Sequence, residues 1–221
     1  MPFPDAAPLQ PSIQARVPPT RPEEGRGQER GDRTRSAIID ETIRCALDEG
    51  FAAASAKHIA ERAGVTWGVI QYHFGDRSGL LGAVVASGYE SFRQSIEALD
   101  IPEGTTPERV ATIVDAAWSA FSRPVSRASL EIAVATRTTR AHTQHTALAA
   151  MARTLHQLGE RIVGDQPGQR ALGRLIGDVL WATLRGLVLA EMVAGEHLDF
   201  TRERAMLCDL IAAYLEADPS S

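Results

Sequence analysis

The chain has 221 residues, of which 44% are hydrophobic and only 5% aromatic, and its formal net charge is −5. This length allows one large domain or two small ones, and a composition rich in Ala and Leu but poor in aromatic residues favours helices over sheets. We expect neither a transmembrane helix nor a secretory signal, because the sequence lacks a long apolar run and a basic start followed by an apolar stretch. The acidic net charge does not exclude DNA binding, which requires a local basic surface and not a basic chain.

The first segment of the chain is rich in proline. Residues 1–31 contain seven of the twelve prolines and few apolar side chains. A segment of this kind cannot bury enough surface to offset the entropy of ordering it. We therefore predict a disordered arm over residues 1–31, followed by a helix that starts at about Thr34 and stops at Gly50, where a left-handed residue is favoured.

Two short helices are predicted next. Ser55 is the expected N-cap of one, and Thr66 is the expected N-cap of the other, which runs to about His73. The link between them is so short that the helices must cross steeply, with Gly64 supplying the positive φ and Ala60 the small side chain at the contact. This spacing predicts a three-helix helix-turn-helix domain over residues 32–77, whose last helix would enter the DNA major groove. A helical hairpin that is merely tight is the alternative.

Residues 59–81 read IAERAGVTWGVIQYHFGDRSGLL and resemble the signature of the TetR family, I-A-x-x-A-G-V-[ST]-x-G-x-[LIF]-Y-x-[HY]-F-x-x-[KR]-x-x-L-[LI]. The resemblance extends over about fifty residues from Thr34. It implies a regulator that binds a double-stranded DNA operator. One position departs from the signature: Gln71 stands where the family usually has a tyrosine, and Tyr72 follows it. We expect Gln71 to contact a base edge, since an amide can pair bidentately with adenine.

Ten residues are predicted to contact DNA: Arg35, Ser55, Lys57, Thr66, Trp67, Gly68, Gln71, Tyr72, His73 and Arg77. Thr66 would cap the third helix, whose first N–H groups can point at a phosphate. Lys57 opposes the dipole of its helix, which suggests a phosphate partner, although a solvated side chain is the alternative. Arg77 resembles the family's basic residue and is expected to hold the DNA backbone.

Several of these residues also have a purely structural interpretation. Trp67 could contact a thymine methyl group or pack against the first helix. Gly68 could let the third helix approach the groove closely or serve helix packing within the domain. His73 is more consistent with packing of the small domain than with DNA contact.

The remainder, residues 78–221, is predicted to be a larger helical domain for effector binding and dimerisation. Its helices are expected at residues 78–99, 106–122, 126–140, 143–163, 169–194 and 201–217, with a loop at 164–168. The helix at 169–194 is apolar around more than half of its circumference, which requires more than one packed face. Its glycines Gly173 and Gly177 could allow close approach of another helix. The family resemblance implies that the last two helices pair with their copies in a homodimer.

The resemblance also implies a pocket for a small-molecule effector of unknown identity. Six side chains are candidates for its lining: Trp118, Phe121, Arg137, His145, Trp181 and Arg185. A ligand can cause the protein to release DNA only if it binds more tightly to a conformation in which the two DNA-reading helices of the dimer have a different spacing.

No motif in the sequence indicates catalysis. Phosphate-binding glycine-rich loops and nucleophile elbows do not occur, and His142 and His145 are not completed to a zinc set by a nearby cysteine or acidic cluster. Cys45 and Cys208 lie far apart, which predicts reduced thiols in a cytoplasmic protein. We therefore predict no catalytic residue, no metal site, no cofactor and no membrane partner.

The chain is expected to be a repressor released from a palindromic operator by an effector. A helical ligand-binding or scaffold protein of the same fold, without DNA binding, is the alternative.

Overall fold

A computed structural model of the chain describes residues 23–137, 142–163 and 169–217, with the side chains of residues 23–26 and 142–148 outside the description. These residues form helices joined by turns and loops, and no strand occurs among them. The helices are α1 (Glu23–Glu49), α2 (Ala56–Arg62), α3 (Trp67–Phe74), α4 (Arg77–Glu97), α5 (Thr106–Phe121), α6 (Pro124–Ala135), α7 (His142–Val163), α8 (Arg170–Ala194) and α9 (Thr201–Ala217). The all-α class is thereby confirmed. None of the described helices has the length and apolar character that crossing a membrane would require.

Helix α1 begins earlier than the sequence predicted. It starts at Glu23, so residues 23–31 are helical and the prediction of disorder for them is wrong. The proline-rich composition ends at Pro22, and a helix can begin directly after a proline. Acidic and basic residues at helical spacing then support the turn, as in the pair Arg33–Glu29, whose charged atoms lie 3.4 Å apart. The predicted arm before residue 23 and the predicted loop 164–168 lie outside the described residues.

The described part of the chain divides into two units, one ending at Thr34 and one beginning at Arg35. In the first unit the described side chains are mostly exposed. In the second unit the buried apolar residues form three clusters, and α4 contributes to each of them. Leu80 belongs to the cluster with α2 and α3, Val84 to the cluster with the second half of α1 and α6, and Phe92 to the large cluster of α5, α7, α8 and α9. Helix α4 is therefore shared by all three clusters.

Helices α7 and α8 approach each other at glycines. A Cβ added to Gly177 would lie 2.4 Å from the Leu155 carbonyl oxygen, and one added to Gly173 would lie 2.7 Å from Glu160 Cα. Such distances are far below van der Waals contact, so only glycine permits this packing. The predicted role of Gly173 and Gly177 in close helix contact is confirmed. A Cβ added to Gly186, later on α8, would meet no such neighbour within 4 Å.

The other predicted helices agree with the observed ones to within a few residues. The N-cap of α5 is Thr105, and Glu108 completes a capping box there. Helix α6 ends at Ala135, earlier than the predicted residue 140, because Thr136 already leaves helical geometry. Helices α8 and α9 lie where the apolar periodicity placed them.

Candidate nucleic-acid interface

The turn between α2 and α3 has the geometry that the sequence predicted. The Ser55 hydroxyl accepts a hydrogen bond from the His58 backbone N–H at 3.2 Å and so caps α2. Gly64 adopts φ 65°, a left-handed conformation that favours glycine. The Val65 backbone N–H then donates to the Ala60 carbonyl at 3.0 Å, and Ala60 is 5% exposed at this contact. A small residue and a glycine therefore hold the two helices in a tight, steep turn.

Helix α3 buries one side and presents the other to solvent. Ile70 is fully buried in the cluster with α1, α2 and α4. The opposite side consists of exposed residues, which we call the α3 outer face: Thr66, Trp67, Gly68, Gln71 and Tyr72. Tyr72 is 84% exposed and Trp67 41% exposed. These values show that neither aromatic ring belongs to the core, where an apolar side chain of this size is normally placed.

Gly68 is not required for packing within the protein. A Cβ at this position would meet only the Thr66 hydroxyl oxygen, at 3.7 Å, which is an ordinary contact. The helix-packing interpretation of Gly68 is therefore not supported by its surroundings. The open space above it leaves close approach to another molecule as the interpretation that remains.

Thr66 occupies the N-cap position of α3 with an extended backbone, but its side chain makes no capping hydrogen bond. The prediction that the Thr66 side chain caps α3 is thus wrong, although the residue stands where predicted. The backbone carbonyl of Thr66 accepts the Val69 N–H at 3.0 Å, so the first turn forms without the hydroxyl.

The basic residues predicted to hold phosphates differ in how they are placed. Lys57 is exposed, and its Nζ lies 3.8 Å from Glu61, a distance at which a solvated pair is weak. Arg77 is partly buried: its Nε donates to the Ala54 carbonyl at 2.8 Å, and its guanidinium lies 4.9 Å from the centre of the Phe51 ring. Arg77 thus holds the α1–α2 connection, a role that its sequence position did not predict. DNA contact by Arg77 stays a prediction.

Two further predicted residues lie beside Phe74 at the end of α3. The Arg35 guanidinium is 5.2 Å from the centre of the Phe74 ring, and the His73 ring is partly buried between Phe74 and Tyr72. His73 packs edge-on against Tyr72 with ring centres 5.0 Å apart. The structural interpretation of His73 therefore has direct support.

An ion network that the sequence did not predict joins α1 to α2. Arg62 donates to the carboxylates of Glu41 and Glu49, and Glu41 also accepts from Arg44. Hydrogen bonds from Arg44 and Arg62 lower the pKa of Glu41, although the residue is only 9% exposed and its burial alone would raise the pKa. The His58 Nε2 lies 2.9 Å from Glu49 Oε2. No spacing rule identifies partners that are 21 residues apart, so only the folded chain reveals this network.

The C-terminal helices enclose a small cavity of about 30 Å³. Of the predicted pocket residues, Phe121, Trp181 and Arg185 line it, together with serine and apolar side chains of α4, α6 and α7. Trp118 and Arg137 are not among the lining residues. Trp118 instead packs against Phe200 and Arg204 near α9, and Arg137 is exposed just beyond the end of α6. The side chain of His145 lies outside the described residues.

Comparison with known proteins agrees with this architecture. A family model described as bacterial regulatory proteins, tetR family, matches residues 38–84. The HTH-type transcriptional regulator BetI of Escherichia coli K12 is 26% identical over 189 residues, which are 83% of this chain and 95% of the relative.

Solved structures show the same fold. The NalD repressor of the MexAB-OprM efflux pump of Pseudomonas aeruginosa has a TM-score of 0.57 at 20% identity, with 83% of this chain and 95% of that chain covered. The fatty acid degradation regulator FadR of Bacillus halodurans has a TM-score of 0.60 at 18% identity, with 84% and 96% covered. These similarities extend from the helix-turn-helix through the larger helical part.

Proposed function

The chain belongs to the tetR family of bacterial regulatory proteins and is a DNA-binding transcriptional regulator, and we propose that it represses transcription from a palindromic operator until a small molecule releases it. The observation that carries this proposal is the α3 outer face, where Trp67, Gly68, Gln71 and Tyr72 are exposed on a helix fixed by a glycine turn. In helix-turn-helix proteins the second helix of the motif, which is α3 in this chain, lies in the major groove and contacts base edges. We assign residues 32–77 to DNA binding and residues 78–221 to effector binding and dimerisation. We propose that the protein acts in the cytoplasm, where the bacterial chromosome lies.

Specific roles follow for the DNA-facing residues. We propose that Gln71 reads a base edge and that Trp67 contacts a thymine methyl group. Lys57 and the N-terminal end of α3 at Thr66 would contact phosphates and fix the position of the helix. Four further residues flank this surface and would contact the DNA backbone or support the α3 outer face: Arg35, Ser55, His73 and Arg77.

A homodimer would present two copies of α3 to the two halves of a palindrome. The support is an exposed apolar stripe on α8 and α9, formed by Leu175, Val179, Met206, Leu210 and Tyr214. Leu210 is 63% and Met206 65% exposed, and the groove between the two helices is lined almost entirely by apolar atoms. A contiguous apolar surface of this kind marks an association site, and two copies related by a two-fold axis would cover it.

Sedimentation velocity tests the dimer. Leu210→Glu places a charge in the stripe, so we expect the variant to sediment as a monomer while the wild type sediments as a dimer. Ala86→Glu adds the same charge at an exposed position on α4 and should leave the dimer intact. Equal sedimentation of the Leu210→Glu variant and the wild type would contradict an interface on this stripe.

The cavity beside Trp181 is the proposed effector site. Its apolar walls and the nearby Arg185 and Ser126 suit an organic molecule that carries a polar group. At about 30 Å³ the cavity is far smaller than the roughly 300–1,000 Å³ of ligand pockets, so an effector must displace side chains to enter. The Arg185 guanidinium, 4.7 Å from the centre of the Trp181 ring, is part of the wall that would have to move.

Helix α6 offers a route from this cavity to the DNA-binding domain. The Ser129 hydroxyl lies in the cavity wall and 3.0 Å from the Val84 carbonyl oxygen of α4. Two residues later, Glu131 accepts the Phe51 backbone N–H at 2.7 Å, which ties α6 to the α1–α2 connection. We propose that expansion of the cavity shifts α6 and, through this bond, tilts the helix-turn-helix.

Two experiments test the proposal. Selection of bound duplexes from a random library should enrich a two-fold symmetric sequence, and Gln71→Ala should relax the preference at one position in each half-site. Failure of the wild type to enrich any sequence would favour the scaffold alternative.

For the effector, native mass spectrometry of the purified protein should reveal a bound small molecule that weakens operator binding. Glu131→Ala should retain ligand binding but reduce this weakening; an unchanged response would contradict the α6 route.

A further inference from the structure

Three side chains that can bind metals converge between α1 and α2. Atoms of Cys45, Glu49 and His58 (one sulfur, one carboxylate oxygen and one imidazole nitrogen) all lie within 4.8 Å of one another. Cys45 and Glu49 are one helical turn apart on α1 and therefore share a face. His58 reaches them from the first turn of α2, with its Nε2 2.9 Å from Glu49 Oε2.

We propose that Cys45, Glu49 and His58 bind a zinc-class divalent ion that fastens α2 to α1. Thiolate, imidazole and carboxylate are the protein ligands of zinc, and three of them leave a fourth position for water. With metal–ligand bonds of about 2.0–2.3 Å, the ligand atoms of a tetrahedral site lie roughly 3.3–3.8 Å apart. The three atoms lie within 4.8 Å of one another, so no separation exceeds that range by more than about 1 Å, a difference that side-chain torsions can supply.

The surroundings of Glu49 are compatible with this role. One of its oxygens, Oε1, accepts from Arg62, while Oε2 faces His58. A metal on Oε2 therefore leaves the Arg62 hydrogen bond in place, and Arg62 acts as the outer-shell group that orients a ligating carboxylate. Glu41 accepts from Arg62 as well and offsets its positive charge near a bound cation.

The placement of the sulfur argues against an exposed reactive thiol. Cys45 is fully buried, whereas a reactive thiol needs solvent access. The side chains of His58 and Glu49 are 37% and 35% exposed, so an ion can reach the cluster from their side. Cys45 would then be the inner ligand: its thiolate sulfur would bind the ion, and the thiol proton would be released to solvent.

Cobalt spectroscopy of the chelator-treated full-length protein tests the site. Co²⁺ should bind in one equivalent and give the near-ultraviolet absorption of a thiolate–cobalt bond, and Zn²⁺ should abolish that absorption. Cys45→Ser should lose it, whereas Cys208→Ser, a change of the other cysteine, should keep it. The site is wrong if the wild type gives no thiolate–cobalt absorption, or if Cys45→Ser retains it.

The variant His58→Gln tests the site without changing the buried Cys45, whose replacement could itself disturb folding. His58 is partly exposed, so we expect this variant to keep the wild-type circular dichroism spectrum while its Co²⁺ affinity falls by more than about tenfold. Unchanged affinity in a folded His58→Gln variant would overturn the assignment. Metal binding here does not depend on the proposed repressor function, because the readout requires neither DNA nor an effector.

Discussion

The substitution Gly68→Ala separates a packing role of this glycine from a role at the DNA surface. The added methyl group meets only the Thr66 hydroxyl oxygen, at 3.7 Å. Replacing a helical glycine by alanine without strain stabilises a protein by about 0.4–1 kcal/mol, chiefly by restricting the unfolded chain. Gly82→Ala is a matched control, because its methyl group on α4, away from the proposed DNA-binding and dimer surfaces, meets nothing within 4 Å beyond the adjacent backbone of its own helix. We therefore expect both variants to melt at or slightly above the wild-type temperature.

The two variants should differ in DNA binding. If α3 approaches the groove closely at Gly68, the methyl group lies between helix and DNA, and overpacking of this kind costs about 1–3 kcal/mol. Operator affinity should then fall by about fivefold to somewhat more than a hundredfold, since each 1.4 kcal/mol is a factor of ten. Fluorescence anisotropy with a selected operator duplex measures the affinity, and circular dichroism melting measures stability. Wild-type affinity in Gly68→Ala would refute the close approach, and a lowered melting temperature would show that Gly68 is a packing residue after all.

Other substitutions test the remaining contacts. Gly177→Ala should lose about 1–3 kcal/mol of stability in thermal melts, because its methyl group would overlap the backbone of α7. Lys57→Ala should leave stability within about 0.5 kcal/mol and reduce the salt dependence of DNA binding, measured by anisotropy at several salt concentrations; an unchanged salt slope would remove Lys57 from the interface. Arg77→Ala should instead lower the melting temperature, since a buried backbone carbonyl loses its donor. The pKa of Glu41 is lowered from 4.5 in the folded state, so the wild type should lose stability as the pH falls below about 4.5. Urea titrations at several pH values measure this loss, and Glu41→Gln should make it smaller. An equal loss in the variant and the wild type would show that Glu41 does not cause it.

The helix-turn-helix was predictable because its signals are local. Ser55 and Gly64 act through backbone geometry within a few residues of where they stand, and the structure confirms Ser55 as a cap and Gly64 at positive φ. The apolar periodicity of α8 and α9 extends over many turns and likewise fixed their positions. The start of α1 was missed because composition was averaged over a window that extends beyond the last proline of the segment, Pro22.

Contacts between distant parts of the chain could not be read from the sequence. Arg77 fits the family signature as a phosphate contact, yet its guanidinium is directed at the Ala54 carbonyl by packing on Phe51. The convergence of Cys45, Glu49 and His58 could not be read from the sequence, because His58 comes from a different helix than the other two residues. Trp118 and Phe121 are three residues apart on α5, yet only Phe121 lines the cavity.

The most direct test of the account is a photo-crosslinking residue placed at position 71, at the centre of the α3 outer face. On a selected operator duplex, we predict crosslinks to bases in the major groove of each half-site. The same residue at the exposed position Glu103, in the α4–α5 connection, should give none. Crosslinks from position 71 to the protein alone, while the operator is still bound, would contradict the claim that this helix reads DNA.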